Sequence, residues 1–127
     1  MKKILVVEDE KSIAEMYQFK LGLGGFDVRV AENGEIGLEI AKEYCPDLIL
    51  LDLRMPVMSG EEMLTKMRAS EWGSGIPVII LTNIGKHEAP SSLRFLHVHR
   101  YVVKAHHTPS QVLEIVNETL GIKKPRD

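Results

Sequence analysis

Short apolar runs alternate with helix-patterned segments along this chain, and four of the runs end on a polar residue of a particular kind. Ile4-Leu5-Val6-Val7 leads into Glu8-Asp9, and Leu48-Ile49-Leu50-Leu51 into Asp52. Val78-Ile79-Ile80-Leu81 leads into Thr82, and Tyr101-Val102-Val103 into Lys104. Short continuous apolar runs suit strands buried on both faces, as in a parallel sheet. Parallel strands bring their carboxyl ends to one edge, where open α/β sheets bind ligands. That edge then carries three carboxylates, one hydroxyl and one ammonium group.

The segments between the runs fit this arrangement. Residues 3–8 read as the first strand. Residues 11–21 place Ile13, Met16, Tyr17, Lys20 and Leu21 at helical spacing, and Gly22, Gly24 and Gly25 are expected to stop that helix. Residues 26–31 alternate apolar and polar, as on an edge strand. Asn33-Gly34 opens a helix running to about Cys45, before Pro46. Residues 47–52 form the most apolar strand, which places it centrally. Ser59 and Glu62 have capping-box spacing and open a helix to about Ser70. Trp72-Gly73-Ser74-Gly75 is a loop, and Pro77 is tolerable at the start of the next strand. The least regular segment, 83–99, is expected to hold a helix starting near Pro90. Residues 100–104 form the last strand. Thr108 and Gln111 make a second capping box for a helix to Leu120, with Gly121 behind it. The outcome is an α/β chain of (βα)₅ type, with right-handed crossovers and helices on both faces of the sheet. Residues 1–122 form one domain and 123–127 a polar tail.

Length and composition narrow the function. At 127 residues the chain has room for one domain with a substantial core. A formal net charge of −2 gives no general nucleic-acid signature. Residues 1–85 hold 14 acidic and 9 basic residues, whereas residues 86–127 hold 4 acidic and 7 basic residues together with all 5 histidines. Such a basic half is either an ordinary solvated face or a partner surface. The single cysteine, Cys45, rules out an internal disulfide, and its place before Pro46 suggests a packed thiol. Lys2-Lys3 followed by four apolar residues is too short for a signal-peptide core, and no apolar stretch approaches a membrane span. A reduced cytoplasmic location follows as the expectation.

Taken singly, each strand-end residue has an ordinary explanation. Asp52 suits a cap or turn, Glu8-Asp9-Glu10 suits a negatively charged first helical turn, Thr82 suits a strand end, and Lys104 suits the surface. Together they suit phosphoryl transfer, which needs mostly positioning and charge neutralisation. Asp52, directly after the most buried run, can act as a nucleophile toward phosphorus. Glu8, Asp9 and Asp52 repel one another unless a cation sits among them, and a hard divalent ion such as Mg²⁺ is the natural partner. Lys104 offers a point charge for a phosphoryl oxygen, and the Thr82 hydroxyl a hydrogen bond.

At these residues the chain resembles the receiver domain of bacterial two-component response regulators, over essentially its whole length. The matching pieces are Ile4 to Glu10, Leu50 to Gly60 (with Asp52, Met55-Pro56 and Ser59-Gly60), Pro77 to Thr82, and Tyr101 to Lys104. The resemblance implies a flavodoxin-like fold with strand order 2-1-3-4-5. It implies that Asp52 takes a phosphoryl group from a sensor histidine kinase or phosphotransfer protein and passes a signal to a downstream protein. It further implies that Asp9, Asp52 and the Arg54 backbone carbonyl ligate Mg²⁺, with Glu8 acting through water. Lys104 would pair with the phosphoryl group, and Thr82 and Tyr101 would move with it, switching the surface formed by the segment after the fourth strand, the fifth strand and the last helix. The chain itself would be a signalling module, not an enzyme, and would bind neither nucleic acid nor membrane.

The departures from the family's pattern concern the switch more than the acid site. Ala105 stands where a proline usually follows the lysine. A non-proline cis bond costs about 3 kcal/mol, so a trans bond and a different loop are expected. Asn83 is larger than the small residue that usually follows the threonine, and is placed to alter the access of water to a phosphoryl group. The Arg54 side chain, two positions after Asp52, is placed to tune dephosphorylation. His97-Val98-His99-Arg100 is basic where an acidic stretch is common. His97 and His99, or His106 and His107, form at best a poor metal set without a cysteine or carboxylate partner. Three alternatives stand beside the main reading. One is a pseudo-receiver that binds partners without being phosphorylated. Another is a haloacid-dehalogenase-like phosphatase, which needs a second Asp where Arg54 stands. The third is a flavin binder, for which Glu8-Asp9-Glu10 has the wrong charge.

Overall fold

In a computed structural model, residues 1–122 are described, and the expected polar tail at 123–127 lies outside them. The elements run β1 (Lys3–Val7), α1 (Lys11–Leu23), β2 (Asp27–Ala31), α2 (Gly34–Tyr44), β3 (Leu48–Leu51), α3 (Gly60–Arg68), β4 (Val78–Thr82), β5 (Arg100–Val103) and α4 (Pro109–Thr119). The five strands form one parallel sheet in the order β2-β1-β3-β4-β5. The most apolar run, β3, is the central strand, and the alternating run, β2, is an edge.

Alternation along the strands builds two cores. Ile4, Val6, Leu48, Leu50, Ile79, Leu81 and Val102 face α1 and α4, where Tyr17, Leu21, Val112, Ile115 and Val116 close the layer. Leu5, Val7, Ile49, Leu51, Val78 and Ile80 face α2 and α3, where Ala41, Met63, Leu64 and Met67 close the other. A fully buried Leu or Ile contributes about 1.5–3 kcal/mol, so a one-residue slip of β3 would exchange these faces at high cost. The register sets Val7 beside Leu51 and Leu51 beside Ile80. The next residue of each strand therefore emerges at one edge.

Capping follows the sequence closely. Asn33 Oδ1 accepts from the Ile36 N–H at 2.9 Å, and Ser59 Oγ from the Glu62 N–H at 3.2 Å. The reciprocal box closes at Thr108 and Gln111. Gly121 (φ +70°) ends α4, with its N–H on Glu118 O and the Ile122 N–H on Asn117 O, a Schellman pattern.

Three local expectations are corrected. Helix α1 runs through Gly22 to Leu23, because a glycine weakens a helix by about 1 kcal/mol without ending it. Reversal waits for Gly25, whose φ of +94° only glycine adopts easily. No α-helix forms near Pro90; two 3₁₀ turns, Lys86–Glu88 and Ser91–Phe95, occupy the segment between β4 and β5. Ala89 is extended, as the residue before proline prefers, and within Ser91–Phe95 only Leu93 is buried. With no apolar stripe to bury, a longer helix gains nothing from the core. Lastly, Cys45 is exposed and not packed; it ends α2 in the left-handed region, with its thiol near Lys42 O.

Candidate functional site

The carboxyl ends of β1, β3, β4 and β5 converge as the alternation requires. Asp52 N–H donates to Val7 O at 3.1 Å, which places Asp52 beside Glu8. One carboxylate oxygen from each of Glu8, Asp9 and Asp52 lies within 4.8 Å of the others. Glu8 and Asp52 are buried, and Asp9 is exposed. Lys104 reaches across from the end of β5. Its Nζ donates to Asp52 Oδ2 at 3.0 Å and also to Glu8 Oε1. The remaining carboxylate oxygens are held by backbone: Asp52 Oδ1 accepts from the Leu53 N–H at 2.7 Å, and Glu8 Oε2 from the Glu10 N–H at 3.1 Å.

The electrostatics follow from this geometry. Burial raises the Glu8 pKa above the usual carboxylate range, against the lowering effect of Lys104. Burial works to lower the Lys104 pKa, but its bonds to Glu8 and Asp52 outweigh burial and raise it. The lysine is thus the resting counter-charge of the site. Three carboxylates around a single ammonium still leave an excess of negative charge, and an all-oxygen donor set suits a hard divalent cation.

Around this centre a cavity of about 260 Å³ is bounded by Asp9, Asp52, Arg54, Thr82, Asn83 and Lys104. Thr82 is buried, and its Oγ1 accepts weakly from the Ile84 N–H at 3.4 Å. Tyr101 is half-buried and donates its hydroxyl to Ile84 O at 2.7 Å. The Arg54 side chain is exposed at the mouth. The Lys104–Ala105 peptide is trans, and Lys104–His106 form a single 3₁₀ turn, so β5 stops at Val103. The histidine pairs are not part of any three-ligand group among the described residues. His107 instead bonds Val103 O through Nδ1 at 2.9 Å.

The loop between β3 and α3 places Asp52. Gly60 begins α3 against the Asp52 backbone, where a Cβ would come within 2.0 Å of Asp52 O. Any side chain there would push α3 and Asp52 apart. Val57, with φ +68°, sits at the centre of a tight turn closed by Met58 N–H on Pro56 O at 2.7 Å. Such a conformation costs a β-branched residue about 1–3 kcal/mol, which places stored strain in the segment following Asp52.

Two contacts escaped the sequence reading, one beside the site and one at the opposite edge of the sheet. Asn83 Oδ1 accepts from the Ala105 N–H at 3.1 Å, joining the residues after Thr82 and after Lys104. Arg68 at the end of α3 donates to five backbone carbonyls, those of Leu96, Gly73, Ser74, Ile76 and His97. Strand-end spacing gave a signal for the first, since residues 83 and 105 each follow a site residue. Nothing in the sequence marked Arg68.

Comparison with known proteins gives this geometry a family. Residues 4–117 match the response regulator receiver domain. The DNA-binding dual master transcriptional regulator RpaA of Synechocystis is 35% identical over 86 residues, covering 68% of this chain and 36% of that protein. The DNA-binding response regulator MtrA of Mycobacterium tuberculosis is 42% identical over 80 residues, covering 63% of this chain and 34% of that protein. The chain therefore spans about a third of the length of these curated relatives. Among solved structures, the chemotaxis response regulator CheY4 of Vibrio cholerae superposes with a TM-score of 0.85 at 28% identity, covering 93% of this chain and 98% of that one. Matched over most of its length, and carrying the strand order that the resemblance implied together with carboxylates at the strand ends, the chain belongs to the response regulator receiver domain family.

Proposed function

We propose that Asp52 is the phosphoacceptor of this receiver, taking its phosphoryl group from a phosphohistidine of a sensor histidine kinase or phosphotransfer protein. The observation that carries the reading is the strand-end cluster in which a single lysine serves Glu8 and Asp52 beside Asp9. In the transfer an Asp52 carboxylate oxygen forms the new O–P bond. The P–N bond breaks, and its electron pair stays on the imidazole nitrogen. Asp9, Asp52 and the Arg54 backbone carbonyl would hold Mg²⁺, with Glu8 behind a water. Bound there, the ion would neutralise charge on the oxygens of the transferring group.

The chain's own residues do the rest. Lys104 is placed to follow the phosphoryl oxygens as Asp52 loses its carboxylate charge. Thr82 exchanges its weak bond with Ile84 for one to a phosphoryl oxygen. Tyr101, held by Ile84 O, changes partner with it. The altered surface, formed by residues 86–99, β5 and α4, then meets a downstream protein. The chain acts as a signalling module in the cytoplasm, its only chemistry being phosphoryl acceptance and self-dephosphorylation. Among the described residues no helix is long and apolar enough to cross a membrane.

The test is intact mass after incubation with Mg²⁺ and acetyl phosphate. Wild type should gain one phosphoryl group and Asp52→Ala none. A wild type that gains none, and that also fails to bind beryllofluoride, would refute the assignment.

A further inference from the structure

Two departures from the family's usual pattern meet in one hydrogen bond. Asn83 follows Thr82 at the end of β4, and Ala105 follows Lys104 just beyond β5. Thr82 pairs with Val103 in the sheet, so the chains leave the edge side by side. Across that gap Asn83 Oδ1 accepts from the Ala105 N–H at 3.1 Å. A small residue at 83 would offer no such acceptor, and a proline at 105 would have no N–H to give. The bond exists only because both positions differ together.

The linked residues stand at the mouth of the phosphoryl site. Asn83 and Lys104 line the same cavity as Asp52 and Thr82. The turn beginning at Lys104 is closed from its other side by His107, whose N–H reaches Lys104 O at 3.3 Å and whose Nδ1 lies 2.9 Å from Val103 O. Asn83 thus supplies the contact that fastens this turn to β4. Asn83 and Ala105 are both exposed, so the bond adds no more than about 1 kcal/mol to folding stability. Its place is local: it spans the gap between the ends of β4 and β5 at the rim of the cavity that holds Asp52.

We propose that Asn83 is a positioning residue that, by holding the Lys104 turn through the Ala105 N–H, shields a phosphoryl group on Asp52 from water and lengthens its life. The proposal rests on Asp52 being the phosphoacceptor. Lys104 keeps its attraction to Glu8 and Asp52 wherever the turn sits, so loss of the link acts on the access of water more than on charge.

Three variants separate the bond from mere bulk. Asn83→Ala removes both, Asn83→Leu keeps the volume but loses the acceptor, and Asn83→Asp keeps the acceptor. Each is loaded with acetyl phosphate and Mg²⁺, the donor is removed, and the phosphorylated fraction is followed by intact mass at 0.15 M salt. The Ala and Leu variants should lose the phosphoryl group about fivefold faster than wild type, the effect of one neutral hydrogen bond. Asn83→Asp should stay within about twofold of wild type, and all four melting temperatures should agree within about 5 °C. A Leu variant with the wild-type lifetime would overturn the proposal, since bulk alone would then suffice. Amide exchange at Ala105 supplies an independent arm. It should accelerate about fivefold in the Ala and Leu variants, and unchanged exchange would also overturn the link. Should wild type itself take no phosphoryl group, the phosphoacceptor reading fails, and the exchange data still decide whether Asn83 holds the turn.

Discussion

Replacing Arg68 with methionine should unfasten the segment between β4 and β5 from the rest of the domain. The guanidinium reaches Leu96 O at 2.8 Å through Nε, Gly73 O at 2.9 Å and Ile76 O at 2.8 Å through one terminal nitrogen, and His97 O at 3.1 Å through the other. It thereby ties α3 both to the loop before β4 and to the segment before β5. Net, a hydrogen bond from a charged group is worth about 1.5–3 kcal/mol, and a neutral one about 1 kcal/mol. The three short bonds would total about 4 kcal/mol at an intermediate value. Burial opposes them, lowering the Arg68 pKa, and some of the freed carbonyls will find water. A loss of about 2–3 kcal/mol remains, or roughly 10 °C in melting temperature for a domain of this size. Methionine retains the apolar stem, so the loss measures the head group. Arg68→Lys should recover little, because an ammonium cannot span carbonyls on two sides as a planar fork does. Urea unfolding supplies the free energy, and amide exchange at His99, whose N–H donates to Val78 O at 2.8 Å, supplies the location. A loss below about 0.5 kcal/mol, with unchanged exchange at His99, would refute the view that one side chain anchors this segment.

Two further outcomes follow from the charge cluster. Lys104→Met should lower stability in EDTA, because Glu8 and Asp52 lose their shared cation, and should enlarge the stabilisation by Mg²⁺. At ten times the dissociation constant that stabilisation is about 1.4 kcal/mol, and thermal melts over a Mg²⁺ series would expose an unchanged response as contrary. Glu8 sets the second outcome. Its folded pKa lies above its unfolded value of 4.5, so its contribution to stability is complete below pH 4.5 and is lost as pH rises through the folded value. Glu8→Gln should therefore gain on wild type between pH 4.5 and neutrality in EDTA. Urea midpoints that shift in parallel for both proteins would contradict this.

The sheet and its edge were legible because each depends on local pattern. Runs such as Leu48–Leu51 state their burial directly, and a parallel register then fixes where Glu8, Asp52, Thr82 and Lys104 emerge. Caps at Asn33, Ser59 and Thr108 involve neighbours three residues apart, so spacing revealed them too. Segment 83–99 was not legible. Its position depends on Arg68, on Glu61 accepting from Ser92, and on the left-handed backbone of His97. These partners lie some thirty residues apart in sequence, and no local period records them. Cys45 failed for the opposite reason: its neighbours suggested burial, but it ends α2 in the left-handed region and its side chain is exposed.

The charge balance at the edge bears on how so few residues would hold the two states of the proposed function. At rest one ammonium serves two buried carboxylates, and Asp9 stays in water. Phosphorylation there would replace the single negative charge of Asp52 with roughly two on the phosphoryl oxygens. On the proposed function, that change would raise the pull on Lys104 and leave Glu8 short of its partner, while a divalent ion on the acidic side would take over what the lysine gives up. A protein with a second buried lysine here would be more stable unphosphorylated and would have less to gain from the metal. The residual repulsion among Glu8, Asp9 and Asp52 would thus make the site responsive to a metal and to phosphorylation. Asn83 and Ala105 join the residues that follow Thr82 and Lys104, so on the proposed function a shift of the turn after the lysine would be felt next to Thr82.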